Sequence, residues 1–221
     1  LLKIPVGDER SEAVVASQES TGRAQGLAHD FGSDEIFVLN TERQVLQVLD
    51  AVTMTTRRTV PLPGISPGDP WLVADAPSDS LLIASEADEQ VGTPFIVLDR
   101  RDWRELDRRD LDAGNVLAHP GGGVVYLSFF RGSRELVRYD LNKREVVARV
   151  STDARVDRMA FDERRSEVLL ASPLRSVVLR FDAETLAAKG AYSAMFGVRV
   201  LAIDKKRDLL LSGSLATGVV E

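Results

Sequence analysis

Hydrophobic and polar positions along this chain fall into blocks that recur. Each block has a large apolar residue, a smaller one, a turn residue and then an apolar run. The opening pairs are Leu27-Ala28, Leu72-Val73, Leu117-Ala118, Met159-Ala160 and Leu201-Ala202, spaced 45, 45, 42 and 42 residues apart. The turn position holds Asp30, Asp75, Pro120, Asp162 and Asp204, and the runs are Ile36–Leu39, Leu81–Ala84, Val125–Leu127, Val168–Ala171 and Leu209–Leu211. A second landmark, an apolar stretch ending in Asp50, Asp99, Asp140 or Asp182, follows the turn residue by 20, 24, 20 and 20 positions. The four extra residues of the second block fall within Ser85–Pro94, a polar stretch where added loop length costs little.

This pattern predicts four short strands per block. The pair and its neighbours form the first. The continuous apolar run forms the second, as expected for a strand covered on both faces. The third ends at the second Asp, and the fourth is more polar, as in Glu145–Val150. Asp, Gly, Ser and Pro cluster between them, at Gly32-Ser33-Asp34 and Gly121-Gly122-Gly123 for example, where their backbone preferences make tight turns. No long helix is indicated. The charged stretch Arg101–Arg109 could form a helical turn but sits where the third and fourth strands should meet.

Four strands in about 42–45 residues is the period of a β-propeller blade. A lone four-stranded sheet cannot bury both faces, whereas blades around an axis cover one another. A pair of β-sandwiches is the competing all-β arrangement, but it would not demand one constant phase. The segmentation is then a terminal part of a blade with a connecting stretch at 1–25, blades at 26–70, 71–114, 115–155 and 156–197, and a partial blade at 198–221.

The repeat resembles the YVTN-type, lactonase-like β-propeller family. Ile36-Phe37-Val38-Leu39-Asn40 is similar to that family's Y-V-T-N strand, and Val48-Leu49-Asp50-Ala51-Val52-Thr53 to its V-I-D-x-x-T corner. Val60-Pro61-Leu62-Pro63-Gly64 resembles the closing T-I-P-V-G, as does Lys3-Ile4-Pro5-Val6-Gly7. Spacing carries the resemblance along nearly the whole chain, while only Ile36–Gly64 matches closely. The later units depart: Leu81–Ser85 and Val168–Ser172 lack the aromatic and the Asn. The family implies about seven blades, so the chain reads as an arc of a larger ring. The alternative is a five-bladed ring that Leu1–Val6 completes. The resemblance also implies a periplasmic or extracellular location.

Composition narrows the function. The 221 residues carry 28 Lys plus Arg against 34 Asp plus Glu, a net charge of -6, so nucleic acid is not the expected partner. No apolar run reaches the roughly 18 residues of a membrane span. Cysteine is absent, which removes disulfides, thiol catalysis, thiolate zinc sites, iron–sulfur clusters and covalently attached haem. No cofactor is expected.

Site chemistry is sparse. His29 and His119 lie 90 residues apart, two repeats, so their rings are not expected to meet on one ion, and no metal site is assigned. The recurring aspartates read as turn residues that bond their own backbone, because Pro120 replaces one of them. Glu86, Asp88 and Glu89 form an acidic loop without the spacing of a calcium loop. Gly64-Ile65-Ser66-Pro67-Gly68 spells G-x-S-x-G, but in a proline-bearing loop rather than a strand-to-helix elbow. No catalytic residue is therefore assigned.

The loops joining strand four to strand one, and strand two to strand three, share one end of the blades. They bring together Asp69, Trp71, Arg131, Arg134, Arg155, Asp157, Arg175, Tyr192 and Phe196 as a candidate binding surface. Aromatic and Arg side chains of this kind dominate recognition surfaces. The expectation is a non-catalytic scaffold binding a protein, another macromolecule or a small ligand through this end. The alternative, carried by the resemblance alone, is a lactonase-like hydrolase of a sugar-acid lactone in the central channel.

Overall fold

A computed structural model describes residues 2–3, 16–17, 24–30, 32–65, 70–85, 94–111, 113–129, 134–152, 155–214 and 216–220. Among them there is no helix. The strands are β1 (Leu2–Lys3), β2 (Ala16–Ser17), β3 (Gly26–Asp30), β4 (Glu35–Asn40), β5 (Val45–Asp50), β6 (Thr56–Pro61), β7 (Pro70–Asp75), β8 (Ser80–Ser85), β9 (Pro94–Asp99) and β10 (Glu105–Asp110). They continue as β11 (Asn115–Ala118), β12 (Val124–Ser128), β13 (Glu135–Asp140), β14 (Glu145–Ser151), β15 (Arg158–Asp162), β16 (Glu167–Ser172), β17 (Val177–Asp182), β18 (Ala188–Ser193), β19 (Val198–Asp204) and β20 (Leu209–Ser214). β3–β6, β7–β10, β11–β14 and β15–β18 are four-stranded antiparallel sheets in sequential order, while β1 pairs with β2 and β19 with β20.

The chain divides into two compact units, Leu1–Leu111 and Asp112–Glu221. In the first, the sheets β3–β6 and β7–β10 pack face to face. Phe37, Leu39, Leu46 and Val48 meet Leu81, Ile83, Ile96 and Leu98 in one buried cluster, with Ala28, Leu72 and Trp103 against it. In the second, Tyr126 and Leu136 meet Val168, Leu170, Phe181 and Leu186 between β11–β14 and β15–β18. The second strand of each four-stranded sheet is mostly inaccessible, with β8 and β16 buried at every position. That follows from neighbours on both faces and explains the unbroken apolar runs. First strands adjoin one another within a unit, β3 beside β7 in one, β11 beside β15 and β15 beside β19 in the other.

The turns repeat as closely as the strands. After the third strand, Asp50, Asp99, Asp140 and Asp182 each accept from the backbone N–H two residues on. The fifth turn residue, Met54, Trp103, Arg144 or Leu186, adopts a left-handed φ of 58–64° and returns its N–H to the carbonyl of that Asp. A bulge then offsets the register of the fourth strand, at Val48/Leu49, Glu105/Asp107, Arg138/Tyr139 and Arg180/Phe181. The stretch Arg101–Arg109 is accordingly turn and strand, not helix.

One expectation is corrected. The turn after the first strand of the third sheet is governed by His119, not Pro120. His119 donates its N–H to the Val124 carbonyl, and its Nδ1 accepts from the Gly121 N–H at 2.9 Å, as Asp30 Oδ1 accepts from the Gly32 N–H at 3.0 Å. An imidazole nitrogen replaces a carboxylate oxygen in the same turn. The two histidines therefore do not share a repeat position: His29 lies within β3, opposite Ile36. The stretch 86–93, which holds the extra residues of the second block, lies outside the described residues, as do Ile4–Gly7.

Candidate functional site

The upper end of the second unit, where fourth strands lead into first strands, carries a continuous polar chain. It begins at Asn115, the first residue of β11, whose Nδ2 donates to Ser128 Oγ at 3.3 Å. Arg158 opens β15 and donates to Asn115 Oδ1 at 3.0 Å and to the Asp157 carbonyl at 3.0 Å. Asp157, buried, receives two guanidiniums: Arg155 Nε lies 3.4 Å from Oδ1 and Arg199 Nε 2.8 Å from Oδ2. Three consecutive sheets are thus tied along their inner strands. One carboxylate stands against two arginines, so this pairing keeps a net positive charge, and both arginines remain about half exposed.

Beside it stands a braced loop bearing an exposed aromatic. The Gly197 N–H donates to the Pro173 carbonyl at 3.1 Å and the Ala194 N–H to the Ser176 carbonyl at 2.9 Å, joining loop 194–197 to loop 173–176. Ser214 Oγ donates to the Phe196 carbonyl at 2.7 Å while accepting from the Ala216 and Thr217 N–H groups. Gly197 is required here: its φ is +76°, and a Cβ would lie 2.6 Å from Ala216 Cβ. With the backbone so pinned, Phe196 is 58% exposed and Leu174, on the adjoining loop, 71%. Arg175 is exposed next to Leu174.

The structure gathers the sequence-predicted residues unevenly. Arg155 and Asp157 are in contact, and Arg175 and Phe196 lie on adjoining loops. Arg134 is exposed at the same end, its carbonyl accepting from the Thr152 N–H at 2.8 Å. Tyr192 departs from expectation: it is not a loop residue but lies within β18 opposite Val178, with the Arg180 guanidinium 4.5 Å above its ring. That arginine is held by a bidentate pair to Glu167 at 2.7 and 2.8 Å. Trp71 lies within β7 opposite Ala84, half-buried, in the other unit. Asp69 and Arg131 fall outside the described residues.

Sequence reasoning passed over Asn115, Arg158, Arg199 and Leu174. A signal for two of them was present: two positions before each large-small pair stand Gln25, Pro70, Asn115, Asp157 and Arg199. That position lies within one residue of the start of the inner strand and is polar in four of the five repeats.

At the opposite end, charges serve to join sheets. Arg165 donates to both Asp208 oxygens at 2.8 Å and to Asp162 at 2.8 Å, which raises its pKa further. A cleft of about 310 Å³ between β15–β18 and β19–β20 is lined by Leu169, Val178, Tyr192, Ile203 and Leu210 with Arg165 and Asp208. Among the described residues no three His, Asp or Glu side chains are placed to hold a metal ion, and no helix is long and apolar enough to cross a membrane.

No family model matches the sequence, and no curated protein matches it. Solved structures do. Sqt1 of Saccharomyces cerevisiae superposes with a TM-score of 0.66 at 11% identity over 85% of this chain and 55% of that one. Hsv2 of Kluyveromyces lactis superposes with a TM-score of 0.62 at 13% identity over 85% of this chain and 58% of that one. Both are β-propellers of the WD40 kind. The chain has a β-propeller fold. Its four four-stranded sheets are blades, and it spans little more than half the length of the propellers it matches.

Proposed function

We propose that this propeller is a non-catalytic scaffold that binds a protein partner through the upper end of its second unit. One observation carries the reading: Phe196 and Leu174 stand exposed on loops whose backbone is fixed, beside Arg199, which a buried carboxylate orients, and Arg155, ion-paired with the same carboxylate. A rigid loop presenting an aromatic loses little conformational freedom on binding, and Arg with aromatic anchors supplies most interface energy. The neighbouring propellers support the fold beneath this reading and nothing more specific.

The test is site-directed photo-crosslinking in cells. A photoreactive residue at position 174 or 175 is expected to give discrete protein adducts, and one at position 206, at the opposite end, none. Adducts confined to position 206, or lactone hydrolysis by the protein, would replace this reading.

A further inference from the structure

The same surface has a charge character that the whole chain lacks. The protein is acidic, with a net charge of -6. Yet the upper end of the second unit carries Arg134, Arg155, Arg158, Arg175 and Arg199 among its described residues. Apart from Glu135, which is paired with Arg149 at 3.0 Å, the only carboxylate described there is Asp157; the sequence adds Asp112, Asp153 and Arg131 in the undescribed parts of the same linking segments, so arginine stays in excess. The lower end of the same unit interleaves both signs, as in Asp162-Glu163-Arg164-Arg165 and Asp204-Lys205-Lys206-Arg207-Asp208. Local potential, not net charge, selects what docks at a face.

Geometry sharpens the selection. Asp157 Oδ2 pairs with Arg199 Nε at 2.8 Å, which orients that guanidinium, and Arg155 stands beside the same carboxylate at the looser distance of 3.4 Å; both guanidiniums are about half exposed. A guanidinium has five N–H donors in a planar fork that matches a carboxylate. Phe196 precedes Arg199 by three residues, and Leu174 adjoins Arg175. The apolar anchors and the cationic forks therefore alternate over a short span.

Resting on the binding function proposed above, we infer that the partner segment is an acidic peptide. In it Asp or Glu residues flank one large apolar side chain, with the carboxylates meeting Arg155, Arg199 and Arg175 and the apolar residue meeting Phe196 and Leu174. A polynucleotide would answer the guanidiniums but leave the exposed Leu174 without an apolar partner, whereas a short acidic segment with one large apolar side chain engages both.

The experiment is selection of a displayed random dodecapeptide library on the intact protein. Counter-selection uses Phe196→Ala, Arg175→Glu and the double variant Arg155→Gln/Arg199→Gln. Because the double variant leaves the buried Asp157 uncompensated, thermal melts accompany each protein. Arg175→Glu and Phe196→Ala change exposed side chains and keep the test valid if the double variant does not fold. Enriched sequences are expected to carry Asp or Glu on both sides of Leu, Phe or Trp. Their affinity should fall about tenfold with Arg175→Glu and about fivefold with Phe196→Ala, and should not change with Lys206→Glu. Enrichment of neutral or basic peptides that still depend on Phe196 would overturn the acidic assignment and leave the surface in place. Peptides indifferent to all upper-end variants would overturn both. A random single-stranded RNA pool, run in parallel, overturns the assignment if it binds in an Arg175-dependent manner.

Discussion

Arg100 and Asp30, seventy positions apart in sequence, are joined by a 2.5 Å ion pair across the two sheets of the first unit. The same guanidinium reaches Glu35 at 3.2 Å and lies over the Phe37 ring at 5.3 Å, and its side chain is 7% exposed. One cation serves two carboxylates from the neighbouring blade. Removing it leaves both partly buried without their shared partner, which is costlier than losing an exposed pair. Arg100→Ala is expected to lower unfolding free energy by about 2–4 kcal/mol in urea titration. A loss under about 1 kcal/mol, the value of a surface pair, would show that the clamp is solvated.

Tyr126 gives a second cross-blade link, its hydroxyl donating to the Ala183 carbonyl at 2.9 Å in a buried setting. The same burial raises the phenol pKa. Tyr126→Phe strands that carbonyl while keeping the ring, so a loss of about 1–2 kcal/mol is expected. Chemical denaturation of the two proteins side by side measures it, and no difference would mean that water replaces the hydroxyl.

The turn after the first strand makes opposite predictions at one repeat position. Gly123 has φ +72°, while Ser166 holds the equivalent place at φ 51°. A side chain there is strained, whereas glycine is not. Gly123→Ala should destabilise by about 1 kcal/mol, and Ser166→Gly should be neutral or stabilise by up to about 1 kcal/mol. Equal signs in thermal melts would refute the shared geometry.

The corner aspartates set the acid limit. The Asp182 carboxyl is held down to about 2, first by the Thr185 N–H, then by the Thr185 hydroxyl, Lys189 and the Glu184 N–H. Asp99 is held to about 2 by Arg101, through its side chain and then its N–H. Both folded values lie below the unfolded value of about 3.9. Their contribution is therefore complete above about pH 4 and is lost as pH falls toward about 2. Stability followed by far-ultraviolet circular dichroism should decline across that window, and Asp182→Asn should flatten the decline. An unchanged slope in the variant would remove Asp182 from the account.

Strand content was legible in the sequence because both signals, the apolar run and the Asp that closes the third strand, reflect forces local to one blade. Burial on two faces writes Leu81–Ala84 as an unbroken apolar string. A turn that needs a backbone-bonding side chain writes Asp50, Asp99, Asp140 and Asp182. The misplacement of Pro120 has the same origin: the turn needs an acceptor, which His119 Nδ1 supplies as well as a carboxylate does, and matching residue types concealed it. The upper rim was legible only in part. Arg155 and Asp157 are neighbours in sequence, but the pairing of Asp157 with Arg199 depends on blades forty residues apart lying side by side. Tyr192 misled because an aromatic near a predicted loop looks the same in sequence as one inside the preceding strand.

The kink that follows each aspartate corner has a consequence for behaviour in concentrated solution. β6, β10 and β14 are the last strands of their blades, and their bulges break the even ladder of N–H and C=O groups that another chain would need as a template. Charges add to this at Arg57 and Arg58, along Glu105–Asp110, and at Glu145 and Arg149. Rims of this kind resist growth into fibrils, a hazard for any protein whose described regular structure is all β-strand.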